Sequence, residues 1–71
     1  MPIVLAPINE LLKVVKIITD PKVKKHLESL GIACGSTLEV LEVSGGNVIL
    51  LVGKTRLAID KDIARRIFVS N

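Results

Sequence analysis

His26 and Cys34 are the one histidine and the one cysteine of this 71-residue chain, and so its first candidates for chemistry. A thiolate at Cys34 would be a nucleophile or a soft metal ligand, but only with a lowered pKa, supplied by nearby cations or a helix N-terminus. Cys34 instead follows a predicted helix C-terminus, the unfavourable end of the dipole. It reads as a turn residue. His26 stands beside Lys24 and Lys25, whose ammonium groups disfavour the approach of a divalent cation. No carboxylate-rich cluster accompanies it, so it reads as a solvated residue or a partner contact. Asp60 and Asp62 could hold a cation or act as an acid–base pair. Their position before Ile63-Ala64-Arg65-Arg66 is better explained by helix capping. No nucleophile–base pair, phosphate loop or ligand triad is present, so the chain is not expected to be an enzyme or to hold a metal or cofactor.

What remains is a basic cluster, Lys22, Lys24 and Lys25, extended by Lys13 and Lys16 in the neighbouring segment. Net charge is +3, enough for weak attraction to an acidic surface but not a demand for nucleic acid. Single strands are commonly bound on aromatic platforms, and Phe68 is the only aromatic residue. No nucleic-acid partner is therefore expected. No apolar run approaches the ~20 residues that span a bilayer. The start, Met1-Pro2-Ile3-Val4-Leu5-Ala6-Pro7, lacks the basic and apolar regions of a signal peptide. With one free thiol, this points to the cytoplasm.

The elements that would position these residues follow from pattern. Residues 1–7, with two prolines, read as an extended lead-in that pairs as an edge; residues 8–71 read as one domain. Leu11–Ile18 is β-branched after its start, and its apolar phase slips between Val14 and Val15, with Lys13 and Lys16 on opposite faces. Such a slip predicts a bulged strand, with a short helix at Asn9–Lys13 as the alternative. Asp20-Pro21 is a helix start, and Val23, Leu27 and Leu30 form one apolar stripe. Gly31 ends that helix, and Gly35 provides a second turn before the next strand. Thr37–Val43 shows the same phase slip. Ser44-Gly45-Gly46-Asn47 predicts a hairpin with positive φ at its central glycines. Val48–Val52 reads as a central strand, Gly53-Lys54 as a turn, and Thr55–Ile59 as an alternating strand. Asp60 caps a helical turn through Ala64 and Arg65, and Ile67–Val69 closes the chain. The expected fold is mainly β: a small, SH3-like, partly open barrel of about five strands with one inserted α-helix and a short C-terminal helical turn.

Two blocks, in order, carry a family resemblance. The first is Lys24-Lys25-His26-Leu27-Glu28-Ser29-Leu30-Gly31-Ile32 with Gly35. The second is Gly53, Leu57-Ala58-Ile59-Asp60, Ala64, Ile67 and Val69. Together they resemble the FeoA family, over residues 8 to 70. His26 and Asp60 stand where that family usually has arginine. The resemblance implies a non-catalytic cytosolic adaptor of bacterial ferrous iron uptake, a monomer or weak homo-oligomer. It would act by protein contact on FeoB, a membrane transporter with a cytosolic GTPase domain, and so lie close to the membrane surface. The alternative is an SH3-like nucleic-acid-binding module, or a detached C-terminal module of an iron-dependent repressor.

A partner surface is expected around the predicted helix and the following strand. It comprises the basic rim Lys24, Lys25 and His26, then Leu27, Leu30, Gly31, Ile32 and Leu38. Most of these leucines and isoleucines would be core, with some left exposed as a contact patch.

Overall fold

The computed structural model describes residues 1–71. Its element order is a 3-10 turn (Ile3–Leu5), β1 (Leu11–Ile17), α1 (Pro21–Ser29), β2 (Thr37–Ser44), β3 (Asn47–Val52), β4 (Thr55–Asp60), α2 (Lys61–Ala64) and β5 (Ile67–Ser70). The five strands form one antiparallel sheet in the order β4-β3-β2-β1-β5. The sheet curls but does not close, since β4 and β5 are its two ends and do not pair. The mainly β, partly open architecture with one inserted helix is the one read from the sequence.

Both phase slips are bulges. The β1–β5 register shifts between Val14 and Lys16, and the β2–β3 register shifts between Val40 and Glu42. An extra residue in one strand bends it and increases its twist, which lets a sheet of short strands wrap a small core. The bulge corrects one detail of the sequence reading. Lys13 and Lys16 are both exposed, because the inserted residue returns Lys16 to the outward side. The alternative helix at Asn9–Lys13 does not form, as Leu11, Leu12 and Lys13 pair with Glu39, Leu38 and Thr37.

The core is aliphatic throughout and contains no buried polar side chain. Val14, Val40, Val48, Leu50 and Ile67 are each 0% exposed, and they come from four of the five strands. The strand Val48–Val52 has neighbours on both sides, as its continuous apolar run requires.

Residues 1–7 depart from the expected extended lead-in. Pro2 does bridge Phe68 on β5, but Ile3–Leu5 turns into a 3-10 helix whose Ile3 side chain is 0% exposed. Pro2 and Ala6 stay extended on either side of the turn, and Ala6 N–H donates to the Ile3 carbonyl. The segment therefore supplies a core residue.

The turns follow their glycines, with one exception. Gly45 takes φ 56° and Gly53 takes φ 62°, but Gly46 does not share the left-handed conformation. One permissive residue suffices for the β2–β3 hairpin. The chain also turns at Asn9 (φ 63°), a residue type that tolerates that region better than most. Asn9 N–H donates to the Val40 carbonyl at 2.8 Å.

Candidate functional site

Helix α1 begins as its sequence dictates. Asp20 Oδ1 accepts from Val23 N–H at 2.9 Å, and Pro21 occupies the first turn, where no donor is needed. The helix ends at Leu30, with Gly31 at φ 92°. Gly31 N–H donates to the Glu28 carbonyl at 3.0 Å, and Ile32 N–H donates to the Leu27 carbonyl at 2.9 Å. These two bonds make a Schellman cap, in which the chain reverses and the flanking apolar residues meet.

The cap decides which predicted contact residues are available. Leu27 and Leu38 are 2% exposed and Ile32 is 0% exposed, so all three belong to the core. Their assignment to a contact patch is corrected: the reversal at Gly31 folds Ile32 inward beneath Leu27, and Leu38 pairs with Leu12 on the buried side of the sheet. Leu30 and Lys24 are half-buried, while Lys25, His26 and Gly31 are exposed. The surface that remains shows Lys22, Lys25 and His26 on one side of α1 and Lys24 with the exposed Glu28 on another, with Leu30 as an apolar margin.

These lysines form no salt bridge within the chain. The chain's single salt bridge joins Asp62 and Arg65, two exposed residues of the α2 turn. Lys22, Lys24 and Lys25 therefore carry no ion pair, and an exposed lysine pays little entropy until a partner fixes it. His26 lies in the last turn of α1.

Cys34 is exposed in the turn between α1 and β2. That turn is tied down from both sides. Gly35 N–H donates to the Val14 carbonyl and Val14 N–H to the Ser36 carbonyl, each at 2.8 Å. Ser36 N–H donates to the Ala33 carbonyl at 2.9 Å, and Gly35 takes φ 92°. Asp60 Oδ1 accepts from Asp62 N–H at 2.8 Å and caps α2. Both aspartates are thus used structurally, as the capping reading expects.

A cleft of about 320 Å³ lies between the start of α1 and α2, lined by Thr19, Asp20, Val23, Asp62, Ile63 and Arg66. Its two carboxylates are the α1 cap and the partner of Arg65. No three His, Cys, Asp or Glu side chains converge anywhere in the chain. No helix is long and apolar enough to cross a membrane.

The exposed aliphatic residues were missed by the sequence reading. Leu11 is 65% exposed and Ile8 is 49% exposed, beside Glu39 and Val40 of β2 respectively. The signal for Leu11 was present in the strand alternation, since a residue next to buried Leu12 must point outward.

A model of the FeoA domain family matches residues 1–71. The chain belongs to the FeoA family. That family is associated with ferrous iron transport, as a small accessory domain. Among solved structures, the crystal structure of an iron uptake regulatory protein (FeoA) is 34% identical to this chain and superposes with a TM-score of 0.86. The alignment covers 99% of this chain and 93% of that one. A FeoA protein from Chlorobium tepidum is 22% identical, with a TM-score of 0.87 over 97% of this chain and 68% of its own. A FeoA-like protein from Clostridium acetobutylicum is also 22% identical, with a TM-score of 0.81 over 99% and 84%. At that identity the latter two speak for the fold alone. No curated protein matches the sequence.

Proposed function

We propose that this FeoA-family chain is a non-catalytic adaptor of ferrous iron uptake in the bacterial cytoplasm, acting by contact with a FeoB-type membrane transporter. The observation that carries the reading is the set of unpaired basic side chains on α1, Lys22, Lys24, Lys25 and His26, on a helix anchored at both ends by caps. Rigid display matters, because a preorganised surface loses less entropy on binding. A chain of this size offers at most about 800 Å² per side to a standard interface. As the contact of a regulator, it is reversible. It regulates by favouring one state of the transporter over another, which requires different affinities for those states. Residues Lys24, Lys25, His26 and Leu30 form the contact, with Gly31 setting its edge.

The test is an amide NMR titration of the labelled chain with detergent-solubilised FeoB-type transporter, with single-stranded RNA as the control. Broadening confined to Lys22–Gly31, seen only with the transporter and lost in a Lys22→Glu/Lys24→Glu/Lys25→Glu variant, is the expected result. Shifts with RNA and none with the transporter would overturn the adaptor reading.

A further inference from the structure

The fold treats the two ends of its sheet differently. The free edge of β5 is taken by the start of the chain: Met1 N donates to the Val69 carbonyl at 3.0 Å, and Val69 N–H donates to the Met1 carbonyl at 2.8 Å. The free edge of β4 has no such cover. No backbone hydrogen bond outside the strand ladders begins or ends on Thr55–Ile59.

The direction of those free groups is fixed by one bond. Lys61 N–H donates to the Gly46 carbonyl at 2.9 Å, extending the β3–β4 ladder past its last pair, Asn47 with Asp60. Backbone groups alternate in direction along a strand. Ile59, Leu57 and Thr55 therefore bond to β3, while the N–H and C=O of Ala58 and Arg56 point to the open edge. Both residues are exposed. Natural edges are commonly blunted by short strands, charged side chains, prolines, bulges or inward charges. The strand β4 carries two outward charges, Arg56 and Asp60, but of opposite sign, which a second antiparallel copy can match. Here β4 has no proline, and its register with β3 runs unbroken from Val52–Thr55 to Asn47–Asp60; the bulges lie in β1 and β2.

We propose that the β4 edge pairs antiparallel with the β4 edge of a second copy, joining two sheets into one across a two-fold axis. Such pairing must keep the buried faces of both copies on the same side, because side chains directly opposite share a face. Near the middle of β4, two registers satisfy this, centred on Leu57 or on Ala58. The first brings Lys54, in the turn before β4, alongside Asp60 of the second copy, and the other sets Arg56 opposite Asp60. Symmetry provides each attraction twice. In either register the strand presents opposite charges to itself, a pattern that an unrelated strand would match only by chance. Ala58 leaves no bulk at the axis.

The edge is short, well under the standard interface size, so the dimer is weak, in the upper micromolar to millimolar range. This self-association is independent of the transport role and uses a different element from the α1 face.

Sedimentation velocity and amide NMR on the full chain, from micromolar to low millimolar, test it. The expected result is a concentration-dependent dimer with shifts confined to Thr55–Asp60. Ala58→Pro removes an outward donor without touching the β3 ladder, a place where edge strands tolerate proline. A Lys54→Glu/Arg56→Glu variant turns both attractions into repulsions. Each should weaken association at least about tenfold while the amide spectrum stays folded. If Ala58→Pro fails to fold, the charge variant decides. A chain that stays monomeric throughout, or a dimer indifferent to the charge variant, would overturn the proposal.

Discussion

Ile32 N–H reaches back to the Leu27 carbonyl at 2.9 Å, and both side chains are buried. This bond closes α1 and brings the two residues into one apolar contact. It is also why neither is exposed. The helix shows its lysines outward because its leucine and the residue after its glycine stop are turned in together.

Leu27→Ala should therefore cost about 2–5 kcal/mol, the range for a large-to-small change in a packed core. Leu30→Ala, at a half-buried position, should cost under about 2 kcal/mol. Urea denaturation of both variants checks this, and equal losses would mean that α1 packs differently.

Gly31 has φ 92°, and an added Cβ would lie 3.1 Å from Val52 Cγ1. Gly35 has the same φ, but a Cβ there would meet nothing within 4 Å. Gly31→Ala should cost about 2 kcal/mol and Gly35→Ala about 1 kcal/mol, since both carry left-handed strain and only the first also crowds a neighbour. The difference in melting temperature between the two variants is the measurement.

Asp20 and Asp60 each satisfy one helix-end donor, at Val23 and Asp62. Asp20→Ala and Asp60→Ala should each lose about 1 kcal/mol, and the asparagine variants should lose much less. An asparagine variant as damaging as alanine would show that charge, and not the hydrogen bond, is what the cap supplies.

Ile3 is 0% exposed although it sits at the chain's start. Ile3→Ala should cost about 2–5 kcal/mol. A neighbouring Leu5→Ala, at a 73% exposed position, should change stability by less than about 0.5 kcal/mol. Thermal melts of the pair separate a core role for residues 1–7 from a passive one.

Much of this protein was legible in its residues alone. Asp20-Pro21 and Gly31 set the limits of α1, and the phase slips after Val14 and Val40 announced both bulges. These features are local: a cap, a stop and an alternation each act within a few residues, so the sequence carries them in full. The FeoA-type order of blocks was legible for the same reason. Which apolar residues remain at the surface was decided only by tertiary structure. Leu27, Ile32 and Leu38 went to the core while Ile8 and Leu11 stayed out, although all five are equally apolar. Likewise, nothing local to Ile3 marks it as buried, and nothing local to β4 says that its edge stays open while β5 is covered. Burial and edge pairing depend on what distant segments bring alongside, and the start of the chain reached β5, not β4.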